Sequence, residues 1–535
     1  LISITATVFI VILASKIASG FTRDLRRDVF KKVQSFSNAE FDKFSTGSLI
    51  TRTTNDIGNL QSLLFLFVKN TIYSLLFIIF GPIYVYKILN VNISLIFILS
   101  MGIAFMAIAA VVIFFTVSPK IFRIQKLLDK LNNIMRERLG GLLVIKANDN
   151  EKYEESRYED VNLKIKKNNL FVNRIIAVVQ PAMVLVMNIL GVAIVLYTIS
   201  EDLLANGSLL PGTLLAFLQY TIQIIMAFLF TSATIIFLPR AIAAIKRISE
   251  ILAVQPSVTD AENPIEPKGD RFNFKFENVG FAYEKNSSVQ ALKNLSFEAE
   301  AGMTTAIVGA TGSGKTTLIN LILRFYDPTE GAIYINGINV RDIPQETLRK
   351  NIGYVPQHPM LFSGTIGENL LASNPDASVA DMDRAIEVAK AEDFVSAKGQ
   401  SEELADKYDV AISQAGKNIS GGQKQRLSIA RAVVRNPKWY ILDDSFSALD
   451  YVTEANLRAE LLRETRQNGA GVIIVSQRIA SVLNADNIIV LNDGRISGQG
   501  THAELMTTCP EYRKIAESQL PKEETEIFAD ANGGL

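Results

Sequence analysis

Five apolar stretches in the first 240 residues constrain this chain more than any other feature. A bilayer core about 30 Å thick takes about 20 mostly apolar residues in a helix. Segments near 2–20, 63–88, 93–117, 175–198 and 213–238 reach that length. The other 295 or so residues lack such runs, and a chain of 535 residues exceeds the roughly 100 to 200 usual for one domain. At least two domains are expected, one of them a helical membrane domain.

The connecting segments orient the spans. Residues 21–62 carry Arg23, Arg26, Arg27, Lys31, Lys32, Lys43 and Arg52, and 118–174 is richer still in Lys and Arg. Both are predicted to be cytoplasmic, because short loops rich in Lys and Arg stay inside. "NVN" near 90 and "ISEDLLANGSLLPG" from 199 hold neither residue and are placed on the other side. The cytoplasmic segments are longer than a tight helical connection. Their text, such as "RDLRRDVFKKVQSF" and "LLDKLNNIMRERLGGLL", predicts helices continuing out of the membrane toward something that sits against them. Lys69 and Asn70 lie toward the cytoplasmic end of the second span, where a lysine snorkels to the headgroups.

In the last span Gln219, Gln223, Met226 and Phe230 recur at i, i+4, i+7 and i+11, which puts them on one helical face, and Gln180 sits beside Pro181 in the span before. Amides in a span either bond to a neighbouring helix or line a polar cavity for substrate. Both readings stand on the sequence alone.

The 54 basic and 54 acidic residues balance but are spread unevenly, with the long apolar blocks confined to the first 240 residues or so, which argues against nucleic-acid binding. A single cysteine, Cys509, has no disulfide or metal-ligand partner. The chain opens at Leu1 inside an apolar run without a basic n-region or a small-residue cleavage site, unlike a signal peptide. The expectation is that its true N-terminus lies further upstream.

After "AVQPSVTDAENPIEPKGD", a polar, Pro-bearing linker, "FNFKFENVGFAYE" alternates like strands. "GATGSGKTT" then supplies G-x-x-x-x-G-K-[ST] as Gly309, Gly314, Lys315 and Thr316, between the apolar "TTAIV" and the helical pattern "LINLILRF". With Gly at about 7 per cent of residues, a chance match somewhere in such a chain is about a few per cent, and the strand-loop-helix context lowers it further. Glycines let backbone N–H groups converge on phosphate, Lys315 adds a point charge, and Thr316 is placed to hold Mg²⁺. Downstream, "KWYILDD" is a buried-strand pattern ending in acid, and Asp443 is the metal-side carboxylate expected of a phosphate loop. Between them, Ser420, Gly421 and Gly422 precede a basic amphipathic helix. That is an N-cap, and also a second anion-binding helix start.

The order of phosphate loop, "VPQ", "SGGQ", "ILDD" and "SALD" resembles an ATP-binding cassette transporter, and the helical half resembles the exporter type. The likeness covers essentially the whole chain. "FSTGSLITRTTNDI" and "IMRERLGGLLVIKANDNEKYEESRY" resemble the exporter loops that carry coupling helices, and the first of six family spans has no counterpart. The resemblance implies an all-α transmembrane domain followed by an α/β P-loop nucleotide-binding domain. The expected division is 1–240 transmembrane, 241–270 linker, 271–518 nucleotide-binding and 519–535 tail. ATP and Mg²⁺ are the implied cofactors. The ATP contacts would be Tyr283, Gly309, Thr311, Gly312, Ser313, Gly314, Lys315, Thr316, Thr317 and Gln357; the metal contacts would be Thr316, Gln357 and Asp443. In such exporters two nucleotide-binding domains sandwich ATP head to tail. Ser420, Gly421, Gly422 and Gln423 would therefore serve a partner's ATP, and Asp450 would be the aspartate of the "SALD" loop.

The chain departs from that family pattern in three places. Asp444 stands where a glutamate normally polarises the attacking water, and Gln477 stands where a switch histidine follows the serine of "VIIVSQRIASV". The two histidines, His358 and His502, lie elsewhere. "ISQAGKN" lacks a glutamate that exporters often carry in a segment facing the coupling helices. Aspartate and glutamate have similar pKa values, about 3.9 and 4.3, so reach rather than basicity separates them. This combination is similar to the degenerate-site subunit of bacterial heterodimeric multidrug exporters. It implies a second half-subunit, small amphipathic substrates and a multi-pass place in the plasma membrane. A homodimer with Asp444 as base, a lipid or peptide exporter, and a regulatory ATP-binding subunit are the alternatives.

Overall fold

A computed structural model describes residues 2–89, 93–204, 211–269, 271–284, 289–399 and 407–520. The chain forms two compact units. One comprises Leu1–Phe36 with Lys43–Gln255, the other Ser37–Asp42 with Pro256–Leu535.

The first unit is helical. Its long helices are Ile2–Gln34, Ile72–Leu89, Ile93–Gly140, Glu151–Leu204 and Pro211–Ala253, with shorter helices at Thr46–Thr53, Asn55–Leu66 and Leu142–Ala147. Among the described residues, Ile4–Gln34, Thr46–Gly81, Ser100–Gly140 and Glu151–Tyr197 are long and apolar enough to cross a membrane. The fifth apolar stretch falls in Pro211–Ala253, many of whose side chains lie outside the described residues. At 1.5 Å per residue the 48-residue and 54-residue helices run about 70 to 80 Å, more than twice a hydrocarbon core, so their charged ends extend beyond it.

A π-helical turn, Phe67–Thr71, interrupts the second apolar stretch. The Lys69 ammonium reaches back one turn, to 5.6 Å from the Phe65 ring centroid. It therefore points toward the end of the helix assigned to the cytoplasm. The last long helix passes residue 240, where the sequence reading starts a linker, and stops at Ala253. Ala241, Ala244, Ile248 and Ile251 recur at three- and four-residue spacing and pack with Val29, Ile57 and Leu60, a helical stripe that holds those turns together. Beside this cluster the buried Asp56 carboxylate accepts from Arg247 Nε at 2.7 Å, and Arg52 donates to the Arg247 carbonyl at 2.8 Å.

The second unit is α/β. Its strands are β1 (Phe274–Phe281), β2 (Leu292–Ala299), β3 (Thr304–Val308), β4 (Glu330–Ile335), β5 (Ile338–Asn339), β6 (Ile352–Val355), β7 (Gly364–Thr365), β8 (Ala411–Ile412), β9 (Trp439–Asp443), β10 (Gly471–Val475), β11 (Asn487–Asn492) and β12 (Arg495–Gly500). One antiparallel sheet has the order β2-β1-β4-β5; the larger has the order β12-β11-β3-β10-β9-β6. In the larger sheet β11, β3, β10, β9 and β6 run parallel and β12 is an antiparallel edge. The central strands β3, β9 and β10 are buried throughout, the continuous apolar pattern of a sheet covered on both faces. Trp439 is fully buried, donates its indole N–H to the Phe272 carbonyl and meets the Phe274 ring edge-on at 5.1 Å. Its ring leaves no space at Gly471, where a Cβ would come within 2.6 Å.

Ser37–Asp42, from the first long connecting segment of the helical half, belongs to the second unit. Val258 N donates to Ser37 Oγ at 3.1 Å, Ser257 Oγ to Glu40 Oε2 at 3.4 Å, and Tyr326 Oη to Asp42 Oδ2 at 3.0 Å. The observed architecture is thus the expected one, helical membrane region first and α/β domain second.

Replacing Arg247 by Ala leaves the buried Asp56 carboxylate without its guanidinium. Because the Arg247 side chain is 42% exposed, water reaches the site, and the loss is expected to stay below the roughly 3 to 5 kcal/mol of a fully closed pair. Thermal melting in detergent is expected to show a larger loss for Arg247→Ala than for the double variant Arg247→Ala, Asp56→Asn. Equal losses would mean the pair stabilises through packing alone.

Candidate nucleotide site

The chain leaves β3 through a loop whose glycines take positive φ: 156° at Gly309, 83° at Gly312 and 105° at Gly314. A side chain at Gly309 would collide with the Leu491 carbonyl, and one at Gly314 would come within 2.6 Å of Leu292 Cδ2. Only glycine fits at these two points. Gly314 then caps the helix Lys315–Ile322 without a side-chain bond, leaving the first N–H groups of the helix for an anion. Thr311 and Gly312 are exposed at the crest of the loop, and Ser313 is buried with no hydrogen-bond partner for its hydroxyl.

Lys315 is buried and donates to the Gly309 and Ala310 carbonyls, both at 2.8 Å. Burial pulls its pKa down, against the opposing pull of Asp444 and Asp443. Those carboxylates arrive by strand register. Val475 of β10 pairs with Asp443 of β9 on one side and Ile307 of β3 on the other, so the three strands end level. Asp444 leaves β9 in the left-handed region, φ 45°, and its N–H donates to the Val475 carbonyl at 2.8 Å. Aspartate is among the few residues that take this conformation at low cost. Asp443 is 4 % exposed, and its pKa is pushed up to about 6, by burial first and then by the neighbouring Asp444 charge.

Gln357, just past β6, donates to Asp444 Oδ2 at 3.2 Å. Gln477, just past β10, is exposed, and its carbonyl accepts from Gln519 Nε2 at 2.8 Å. Tyr283 stands half-exposed beside the loop helix, its hydroxyl 2.9 Å from Thr317 Oγ1 and its ring edge-on to Phe281 and Tyr326. The phosphate loop, Asp443, Asp444, Gln357 and Tyr283 are therefore brought together. Thr316, exposed at the helix start, and the desolvated Asp443 offer hard oxygen donors of the kind Mg²⁺ takes in small number alongside phosphates. A carboxylate pair short of countercharge fits such a cation.

Ser420, Gly421, Gly422 and Gln423 form a separate feature. Ser420 caps the helix Gly421–Val434, accepting from Gln423 N at 3.3 Å while Gln423 Oε1 accepts from Ser420 N at 3.2 Å. Gly422 packs beside the Ala448 carbonyl, in the loop that ends at Asp450. Asp450 caps the helix Tyr451–Asn468 through Thr453 N at 3.0 Å, a bond that lowers its pKa. Among the described residues, no hydrogen bond ties this group to the chain's own phosphate loop.

In the helical unit Gln219, Met226 and Phe230 are exposed and Gln223 is half-buried, while the side chain of Gln180 lies outside the described residues. The apolar cavities described in that unit do not include this face. Sequence reasoning missed Tyr326 and Asp42. The only sequence signal was a tyrosine in "RFYDPT" directly after the loop helix.

Residues 1–228 match the family model for the ABC transporter transmembrane region, and 292–447 match that for the ABC transporter. The chain is 36% identical over 515 residues to the uncharacterized ABC transporter ATP-binding protein YfiB of Bacillus subtilis, covering 96% of this chain and 86% of that protein. It is 36% identical over 513 residues to the uncharacterized ABC transporter ATP-binding protein Rv1273c of Mycobacterium tuberculosis, covering 95% and 85%. A solved bacterial Atm1-family ABC exporter with ATP bound is similar at a TM-score of 0.80 and 26% identity, over 95% of this chain and 87% of that one.

The raised Asp443 pKa predicts a pH signature. Between about pH 4 and 6 the folded chain keeps the proton that the unfolded chain has lost, so this group costs stability as pH rises through that window and no more above it. Two pKa units correspond to about 2 to 3 kcal/mol. In nucleotide-free melts, the advantage of Asp443→Asn over the native chain is expected to grow from pH 4 to 6 and then level. A constant difference would show that Asp443 titrates normally.

Proposed function

We propose that this chain, which belongs to the ABC transporter family and has the fold of an ABC exporter, is one half of a two-subunit efflux pump. Its own nucleotide site binds ATP and hydrolyses it slowly. Its Ser420–Gln423 segment completes a competent site built on the partner's phosphate loop.

The observation that carries the reading is the position of Asp444. Its carboxylate is one methylene shorter than the glutamate expected there and is engaged by the Gln357 amide at 3.2 Å. A general base must lie within hydrogen-bond reach of the water it activates, and a misplacement of about 1 Å can cost on the order of a hundredfold. Gln477 compounds the loss: an amide donates a hydrogen bond but carries no imidazolium charge to stabilise the γ-phosphate. Binding is spared, because the glycine loop, Lys315 and Tyr283 are arranged as an ATP cradle. The capped helix start at Ser420 is what a partner's nucleotide would meet, and the ATP in the related exporter structure supports that ligand. A homodimer would carry two slow sites and pump poorly, which favours a second, different half-subunit in a bacterial cell membrane. Amphipathic compounds are the substrate class, and the Gln219–Phe230 face is their contact surface in the helical unit; both follow family analogy.

The purified chain alone is expected to turn ATP over slowly, with little change in Asp444→Asn and a rise of tenfold or more in Asp444→Glu. Brisk turnover abolished by Asp444→Asn would establish a homodimer with an aspartate base instead. In the assembled pump, Ser420→Arg is expected to reduce ATPase rate far more than Asp444→Asn. Equal losses would refute the division of labour.

A further inference from the structure

Between the helices Ile93–Gly140 and Glu151–Leu204 lies an apolar slot of about 540 Å³. Phe105, Ala109 and Ile113 line one wall at four-residue spacing, and Val178, Ala182 and Val186 line the other. The lining runs from Phe171 to Val186, and the part inside the apolar stretch, 175–186, rises about 16 Å along the helix, close to the depth of one bilayer leaflet.

Charge is confined to one end of it. Arg174 is a lining residue, and the Lys120 ammonium sits 5.2 Å from the ring centroid of Phe171, another lining residue. Among the described residues neither cation takes part in an ion pair. The nearest acids along the two helices, Asp129 and Asp160, lie beyond the cations on the side away from the slot. Lys120 and Arg174 directly flank the apolar stretches 93–117 and 175–198 on the segment whose charge bias assigns it to the cytoplasm. They stand at the headgroup level of the inner leaflet, which is the leaflet that carries anionic lipid.

We propose that the slot is a binding site for an anionic phospholipid of the inner leaflet, with one acyl chain along the apolar walls and the phosphate held by Arg174 and Lys120. Two unneutralised cations at one end of an apolar channel of leaflet depth match an amphiphile with a negative head. A neutral lipid satisfies the walls and leaves the cations unmatched. A helix of another subunit would satisfy the walls and compete for the same place.

Native mass spectrometry of the intact chain, purified with any subunit that accompanies it, tests the assignment with phosphatidylglycerol and phosphatidylcholine of identical chains. The native protein is expected to retain phosphatidylglycerol at least tenfold better, since each basic contact is worth about fivefold. Arg174→Ala with Lys120→Ala is expected to erase that preference, and Arg174→Lys to keep most of it. Ala182→Phe, which fills the slot, is expected to reduce retention of both lipids. Equal retention of the two lipids by the native protein, or an undiminished preference in the double alanine variant, would overturn the site. So would crosslinking of Ala182→Cys to another polypeptide, because a protein rather than a lipid would then cover the slot.

Discussion

One rung of a parallel ladder organises the candidate nucleotide site. Val475 pairs with Asp443 on one side and Ile307 on the other, which brings the carboxyl ends of β3, β9 and β10 to one level. The glycine loop, the acid pair and the Ser476–Gln477 turn all leave the sheet at that edge, where ligands bind in open α/β sheets. A slip of one residue would turn every side chain of a strand to the opposite face. Trp439 opposes such a slip from the far end of β9. Its ring occupies the space that any side chain at Gly471 would need, and its indole N–H is bound to the Phe272 carbonyl.

That register also concentrates charge. Lys315, Asp443 and Asp444 are drawn together in a largely buried place, where each ionised group loses hydration. The lysine compensates by bonding two carbonyls of its own loop, and Asp444 by accepting from Gln357. Among the described residues Asp443 has no comparable donor, and burial with the neighbouring Asp444 charge pushes its pKa up to about 6. The same desolvation that raises this pKa strengthens any later interaction with a cation, because the local dielectric that penalises one charge favours two opposite ones. The desolvation that raises the Asp443 pKa is thus also what suits this acid pair to a cation.

The sequence shows best what is local. The phosphate loop, the acid after "YIL" and the capped start at Ser420 each lie within a dozen residues, and their backbone demands are written in glycine and serine positions. The spans are legible by length alone, since a bilayer sets a fixed thickness. Contacts set by tertiary placement are not legible. Tyr326 bonds Asp42 across 284 residues, and nothing in either neighbourhood announces the other. The continuation of the last helix to Ala253 was obscured because "RAIAAIKRISEIL" is too polar for a span, while its buried stripe becomes apparent only against Val29 and Ile57. The π turn at Phe67–Thr71 follows from one extra residue in a helical run, for which hydropathy carries no signature.

The long-range contact at Tyr326 has a mechanical consequence within the α/β unit. Thr317 on the loop helix meets the Tyr283 hydroxyl, the Tyr283 ring stands edge-on to Tyr326 at 5.4 Å, and Tyr326 donates to Asp42. The backbone beneath this series is held firmly. Arg324, two residues before Tyr326, has φ 51°, is 2 % exposed, and donates to the Thr259 and Ile343 carbonyls at 2.8 Å each. A displacement of Tyr283 by a ligand therefore meets a fixed main chain and a close-packed ring, with little free volume to absorb it. Ser37–Asp42 packs within the α/β unit, so the side chains that frame the candidate ATP cradle also hold this short excursion of the chain in place.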